Sequence, residues 1–160
     1  MFKGRAFYAG VIGGIIMSLL MALVRMMGMP VNVSMTLGTM FGLAPGVGTW
    51  LLGFIIHLGV SGLIGMAYGA GFEYVSHRAG VWIGFGFGLI HTVIAGFFFG
   101  LLPAIHPMMP EMVASPGIFL SNLGSAGVVG FFIFHLTYGG VVGAIYKPVR
   151  HTHVAHTEAM

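Results

Sequence analysis

Residues 47–71 read V-G-T-W-L-L-G-F-I-I-H-L-G-V-S-G-L-I-G-M-A-Y-G-A-G, with no charged side chain anywhere in the run. A helix needs about 20 mainly apolar residues to cross the hydrocarbon core of a bilayer. The run therefore predicts a membrane span. Working outward, three more runs have the same character, at about 7–27, 81–103 and 124–147. The expected fold class is an all-α integral membrane protein with four transmembrane helices.

Composition supports that class. The chain is 58% hydrophobic and only 6% charged, against about 25% charged in an ordinary soluble domain. Its acids are Glu73, Glu111 and Glu158, with no aspartate and no cysteine. Disulfides, thiol catalysis and thiolate metal sites are thereby excluded. The basic balance does not imply nucleic acid, because the few cations stand at the ends of the apolar runs. Lys3, Arg5, Arg78, Lys147 and Arg150 fall on one side and Arg25 on the other. Basic residues favour the cytoplasmic side, so both termini are expected there. Lys3 and Arg5 also suit a signal peptide, but the first run is too long and no A-x-A site follows it. The expected organisation is one membrane domain over 1–150 and a polar, His-containing cytoplasmic tail over 151–160.

Two runs repeat a pattern. Residues 57–68 read H-L-G-V-S-G-L-I-G-M-A-Y and residues 135–146 read H-L-T-Y-G-G-V-V-G-A-I-Y, both H-L-x-x-x-G-x-x-G-x-x-Y. The other two runs share a weaker match, G-I-I-M-S at 14–18 against G-L-I-H-T at 88–92. The first match is separated by 78 residues and the second by 74. This predicts a duplicated helical hairpin, with 7–71 superposing on 81–147, His57 on His135, and Met17 near His91. Small residues let membrane helices approach closely, so Gly59, Gly62, Gly65, Gly139, Gly140 and Gly143 are candidate packing positions. A second reading of these glycine faces is clearance for a flat cofactor or a lipid tail.

His57, His91 and His135 sit near the middles of three spans, and Met17 falls in the same layer. An imidazole inside a bilayer is costly and is a functional-site candidate by default. Three readings stay open. The rings hydrogen-bond neighbouring helices, with Ser61, Thr92, Thr137 and Tyr138 as available partners. Alternatively they ligate copper or the iron of a haem b, with Met17 as a soft fourth ligand. A proton relay is the third reading, though the spans hold no Asp or Glu beside these rings. On the outer side, His106, Met108, Met109 and Met112 suggest contacts for copper, since thioether and imidazole suit that metal. Methionine is also an ordinary apolar filler. The chain has no paired carboxylates, no Ser-His-Asp set, no phosphate-cradling loop and no H-E-x-x-H, so an enzyme is not expected.

The segment H-L-T-Y-G-G-V-V-G-A-I-Y, with G-F-I-I-H-L-G-V-S-G-L-I-G-M-A-Y before it, resembles the YagU-like group of small bacterial membrane proteins. The resemblance implies a four-helix inner-membrane protein and little about activity. The leading functional expectation is a non-enzymatic accessory subunit of a larger respiratory, photosynthetic or copper-oxidase complex, surrounded by lipid and other membrane subunits. A haem- or copper-binding membrane protein and a small transporter are the alternatives.

Overall fold

The structure, a computed structural model, describes residues 2–146. The candidate tail at 151–160, with Lys147 and Arg150, lies outside the described residues. All regular structure among the described residues is helical. The long helices are α1 (Lys3–Met26), α3 (Val47–Tyr74), α4 (Val81–Ile105) and α5 (Gly124–Ile145), and a short α2 (Val33–Thr39) lies between the first two. Each long helix carries an apolar stretch long enough to span a bilayer. The chain is a four-helix, multi-pass membrane protein. The observed ends differ from the expected ones by a few residues, chiefly at the start of α1, which takes in Lys3 and Arg5.

Two kinds of connection join the helices. The turn between α3 and α4 is short, with Gly80 at a positive φ of 152° leading into α4. The links at the opposite end are long and structured. In the first, Asn32 caps α2 by accepting from the Met35 N–H at 3.1 Å. Gly38 and Gly53 bring α2 against the backbone of α3, where any Cβ would strike Thr49 or Ser34. In the second, a 3₁₀ segment (Ile118–Leu123) carries Phe119 and Leu120 at φ of 51° and 59°. Non-glycine residues rarely adopt that left-handed conformation, and it costs on the order of 1–3 kcal/mol each.

The duplication is visible in how each hairpin crosses. A Cβ added to Gly65 would lie 2.6 Å from both the Ala6 carbonyl oxygen and Gly10 Cα. A Cβ on Gly143 would overlap the Gly80 carbonyl and stand 3.0 Å from Gly84 Cα. Gly10 meets Ser61 and Gly65, while Gly84 meets Gly139 and Gly143. These pairs stand at the same 74- and 78-residue separations read from the sequence. The α1–α3 and α4–α5 crossings are thus one backbone-to-backbone contact, used twice. Gly62 and Gly140 also receive phenyl rings from the partner helix, Phe7 and Phe85. Gly59 is the exception among the six candidate packing glycines. Nothing lies within 4 Å of where its Cβ would be, because it points away from the crossing.

The hairpins then join unequally. Helix α1 lies along α5, but α3 and α4 scarcely touch. At the closed junction, Gly13 lets the Tyr138 ring approach to 2.9 Å of where a Cβ would be, with Val142 beside it. The Tyr138 hydroxyl donates to the Ser61 carbonyl of α3. The residue of α4 that corresponds to Gly13 is Phe87. Its ring stands between α4 and α3, over Gly71 and edge-on to Phe72 at 5.2 Å. A glycine draws one pair together; a phenyl ring holds the other apart.

Candidate functional site

The unequal joining leaves a cavity of about 540 Å³ among α1, α3, α4 and α5, roofed by α2 and Leu120. That volume lies in the range of about 300–1,000 Å³ typical of small-molecule sites. Its wall is almost wholly apolar and, among the described residues, includes no charged side chain. Val60 of α3 and Ile90, Ile94 and Phe98 of α4 line it and are also exposed on the outside of the bundle. The cavity therefore opens sideways between α3 and α4, at the depth where a bilayer presents acyl chains.

His57, His91, His135 and Met17 all line this one cavity. Each imidazole is held through Nδ1 by a different partner. His57 Nδ1 meets the Ser18 hydroxyl of α1 at 3.0 Å. His91 Nδ1 meets the Tyr68 hydroxyl of α3 at 3.3 Å. His135 Nδ1 donates to the Phe131 carbonyl, one turn back on its own helix, at 2.8 Å. A carbonyl accepts only, so His135 carries its proton on Nδ1. Every fully buried side-chain nitrogen and oxygen among the described residues has a partner. Among the described residues the three Nε2 atoms have none. They must stand open at the cavity surface.

The reading in which each ring bonds a separate neighbour describes the Nδ1 side. Its partners differ from those expected, however. Ser18, Tyr68 and the Phe131 carbonyl serve, while Thr92 turns to its own helix at Gly88 and Tyr138 bonds Ser61. Sequence pattern placed Ser18 and Tyr68 on spans but gave no contact between helices to single them out. Among the described residues, no three His, Cys, Asp or Glu side chains are grouped to hold a metal. His91 and His135 touch edge to face with centroids 4.8 Å apart, leaving no room for a porphyrin between them. The glycine faces of α4 and α5 are closed by backbone contact.

His106 is held in a way the copper expectation did not foresee. His106 Nε2 faces the Thr36 carbonyl at 3.0 Å and the Thr39 hydroxyl at 3.1 Å. Its Nδ1 accepts from the Met108 N–H at 3.2 Å. Both nitrogens are occupied, so no lone pair is left for a metal. His106 instead ties the end of α4 to α2. Met109 is buried and Met112 is exposed.

A second polar pair lies at the short-turn end. The Tyr146 hydroxyl donates to Glu73 Oε1 at 2.7 Å, with both residues buried. Burial, with the adjacent carboxylate, pushes the Tyr146 hydroxyl up to about 12, so it remains a donor. The sequence placed Glu73 in the connecting turn; its burial became visible only in the fold. No known family model, curated protein or solved structure matches the chain.

Proposed function

We propose that this chain is a non-enzymatic membrane protein that takes an uncharged, lipid-soluble small molecule from the bilayer into the cavity between its hairpins. One observation carries the reading. A large apolar cavity opens sideways between α3 and α4 and presents three unpaired imidazole nitrogens at mid-depth. Pockets that combine an apolar wall with a few convergent polar groups are the usual form of a small-molecule site. Sites at the midplane between internal repeats are also the usual arrangement in small transporters. An accessory-subunit role is compatible with this reading, since a cavity-bearing subunit would hold the ligand beside a larger complex. The YagU-like resemblance and the bacterial inner membrane belong to the same proposal, with both termini cytoplasmic. Reporters at 104–123 would then be external.

The test is extraction of the protein from native membranes, followed by mass spectrometry of what it retains. The expected result is an uncharged apolar compound in near-stoichiometric amount. Ala95→Trp, which fills the cavity from α4, should lose it while the protein stays folded. Retention unaffected by Ala95→Trp would overturn the reading.

A further inference from the structure

We infer that the ligand is a planar, uncharged, lipid-soluble ring bearing a hydroxyl, the chemistry of a quinol or a phenolic lipid, which donates to His135 Nε2. This rests on the cavity-ligand reading above and names the ligand class for that same site.

His135 is the one ring of the three whose proton is placed. His135 is 4% exposed and spends its Nδ1–H on the Phe131 carbonyl. No carboxylate or other charge lines the cavity to support an imidazolium, and an isolated charge in such surroundings is very costly. The ring is therefore neutral, and its Nε2 is an acceptor only. A ligand that brought a carbonyl oxygen there would set lone pair against lone pair. A ligand that brings a hydroxyl satisfies it. The other two rings are adaptable. Ser18 and Tyr68 are hydroxyls, able to donate or accept by rotation. His57 and His91 can thus show the cavity either an N–H or a lone pair. One fixed acceptor and two adjustable groups would suit a ring with oxygens at two positions.

The walls specify the ring. His135 lies 4.2 Å from the Phe131 centroid and 4.8 Å from that of His91. Tyr138 packs edge-on to His91 at 5.5 Å, and to Tyr68 at 5.5 Å as well. Aromatic groups favour such edge-to-face and offset contacts, so a planar ligand head finds matching surfaces on several sides. With no cation in the wall, a fatty-acid carboxylate or a phosphate has no counter-charge. The exposed mouth at Val60, Ile90, Ile94 and Phe98 gives an apolar tail a way out among the acyl chains.

The experiment uses the full chain in lipid nanodiscs, kept anaerobic. Its probes are a decyl-substituted benzoquinol, its monomethyl ether, its dimethyl ether and the matching quinone. Bound probe is measured by rapid separation and extraction. The quinol should bind about tenfold more tightly than the dimethyl ether and the quinone, the size expected when a buried acceptor is left unpaired. A monomethyl ether equal to the quinol would support a single hydroxyl at His135, as in a phenolic lipid. One intermediate between quinol and dimethyl ether would support contacts at both positions. His135→Phe should erase the preference and leave dimethyl-ether binding in place. The ligand series on the unaltered protein stands if that variant does not fold. Equal binding of all four probes, or preference for the quinone, would overturn the hydroxyl inference while leaving the cavity reading intact. If none of the four binds, and Ala95→Trp changes nothing in the native extract, both readings fail.

Discussion

The two hairpins cross in the same way and yet present opposite neighbours. In each, a glycine-lined face brings two backbones into contact, Gly10 to Gly65 and Gly84 to Gly143. Small residues are what allow such contact, since lipid offers no hydrophobic drive for helices to associate. Beyond the crossings the copies diverge. Gly13 admits Tyr138 and closes α1 onto α5, whereas its counterpart Phe87 stands between α4 and α3. Tyr138 corresponds in turn to Val60. The tyrosine is 1% exposed and bonded across the closed junction, and the valine is 42% exposed at the open one. A duplicated hairpin thus acquires a single cavity by changing side chains at the junctions while keeping its crossings.

The sharpest way to break this comparison is to exchange the wedge. Gly13→Phe places a ring where even a Cβ would lie only 2.9 Å from the Tyr138 ring. Overpacking of that kind costs about 1–3 kcal/mol for a few methylenes, and a whole phenyl against a neighbouring ring should exceed it. The expected result is loss of monodisperse protein in detergent. Wild-type yield and melting temperature would show that the closed junction does not depend on Gly13. The reciprocal change, Phe87→Ala, removes a ring that Tyr68, Phe72 and Gly71 all touch. Large-to-small substitutions of phenylalanine cost about 3–5 kcal/mol where the site cannot collapse. Here α3 and α4 have room to move together, so a smaller loss of stability is expected, with a marked loss of retained ligand. Stability falling by the full amount with ligand retention unchanged would show that Phe87 is ordinary core.

Much of this was legible in the chain itself. Four spans followed from run length, and the duplication from H-L-x-x-x-G-x-x-G-x-x-Y. The separations of 78 and 74 residues turned out to index the helix crossings. The shared layer of His57, His91, His135 and Met17 followed from position along the spans, and all four reach one cavity. What the pattern could not supply was the joining of the hairpins, which depends on pairs far apart in sequence. Phe87 and Gly13 look like unremarkable residues of apolar helices until the duplication is applied to them together. His106 was legible only as a residue type. Its Met-rich neighbourhood suggested copper, but its ring nitrogens are committed to Thr36, Thr39 and Met108, on segments brought together only by folding.

The ends of the repeated motif give a smaller test. Tyr68 and Tyr146 occupy the same motif position and face different partners, His91 and Glu73. Tyr146→Phe removes one donor from a buried carboxylate, and losing a buried hydrogen bond costs about 1–3 kcal/mol. Tyr68→Phe frees His91 at the cavity wall, where a ligand or a rotamer change can compensate. The stability loss should be clearly larger for Tyr146→Phe in matched thermal unfolding. Equal losses would mean that the two motif ends do equivalent work despite their partners.

The smallest expected effect is at Gly59, and here the sign matters more than the size. The other five candidate packing glycines meet a neighbour within 3.0 Å of an added Cβ. Gly59 meets nothing within 4 Å. Its counterpart in the second hairpin is Thr137, so the duplicated helix already carries a side chain at this position. A glycine in a helix interior is about 0.5–1 kcal/mol less favourable than alanine. Gly59→Ala should therefore leave stability unchanged or raise it by up to about 1 kcal/mol. Gly62→Ala, three residues along, pushes into the Phe7 ring and should lower it. Thermal unfolding of the two variants side by side checks the pair. A destabilised Gly59→Ala would mean that this face of α3 packs against something beyond the single chain, as it would in the accessory-subunit role.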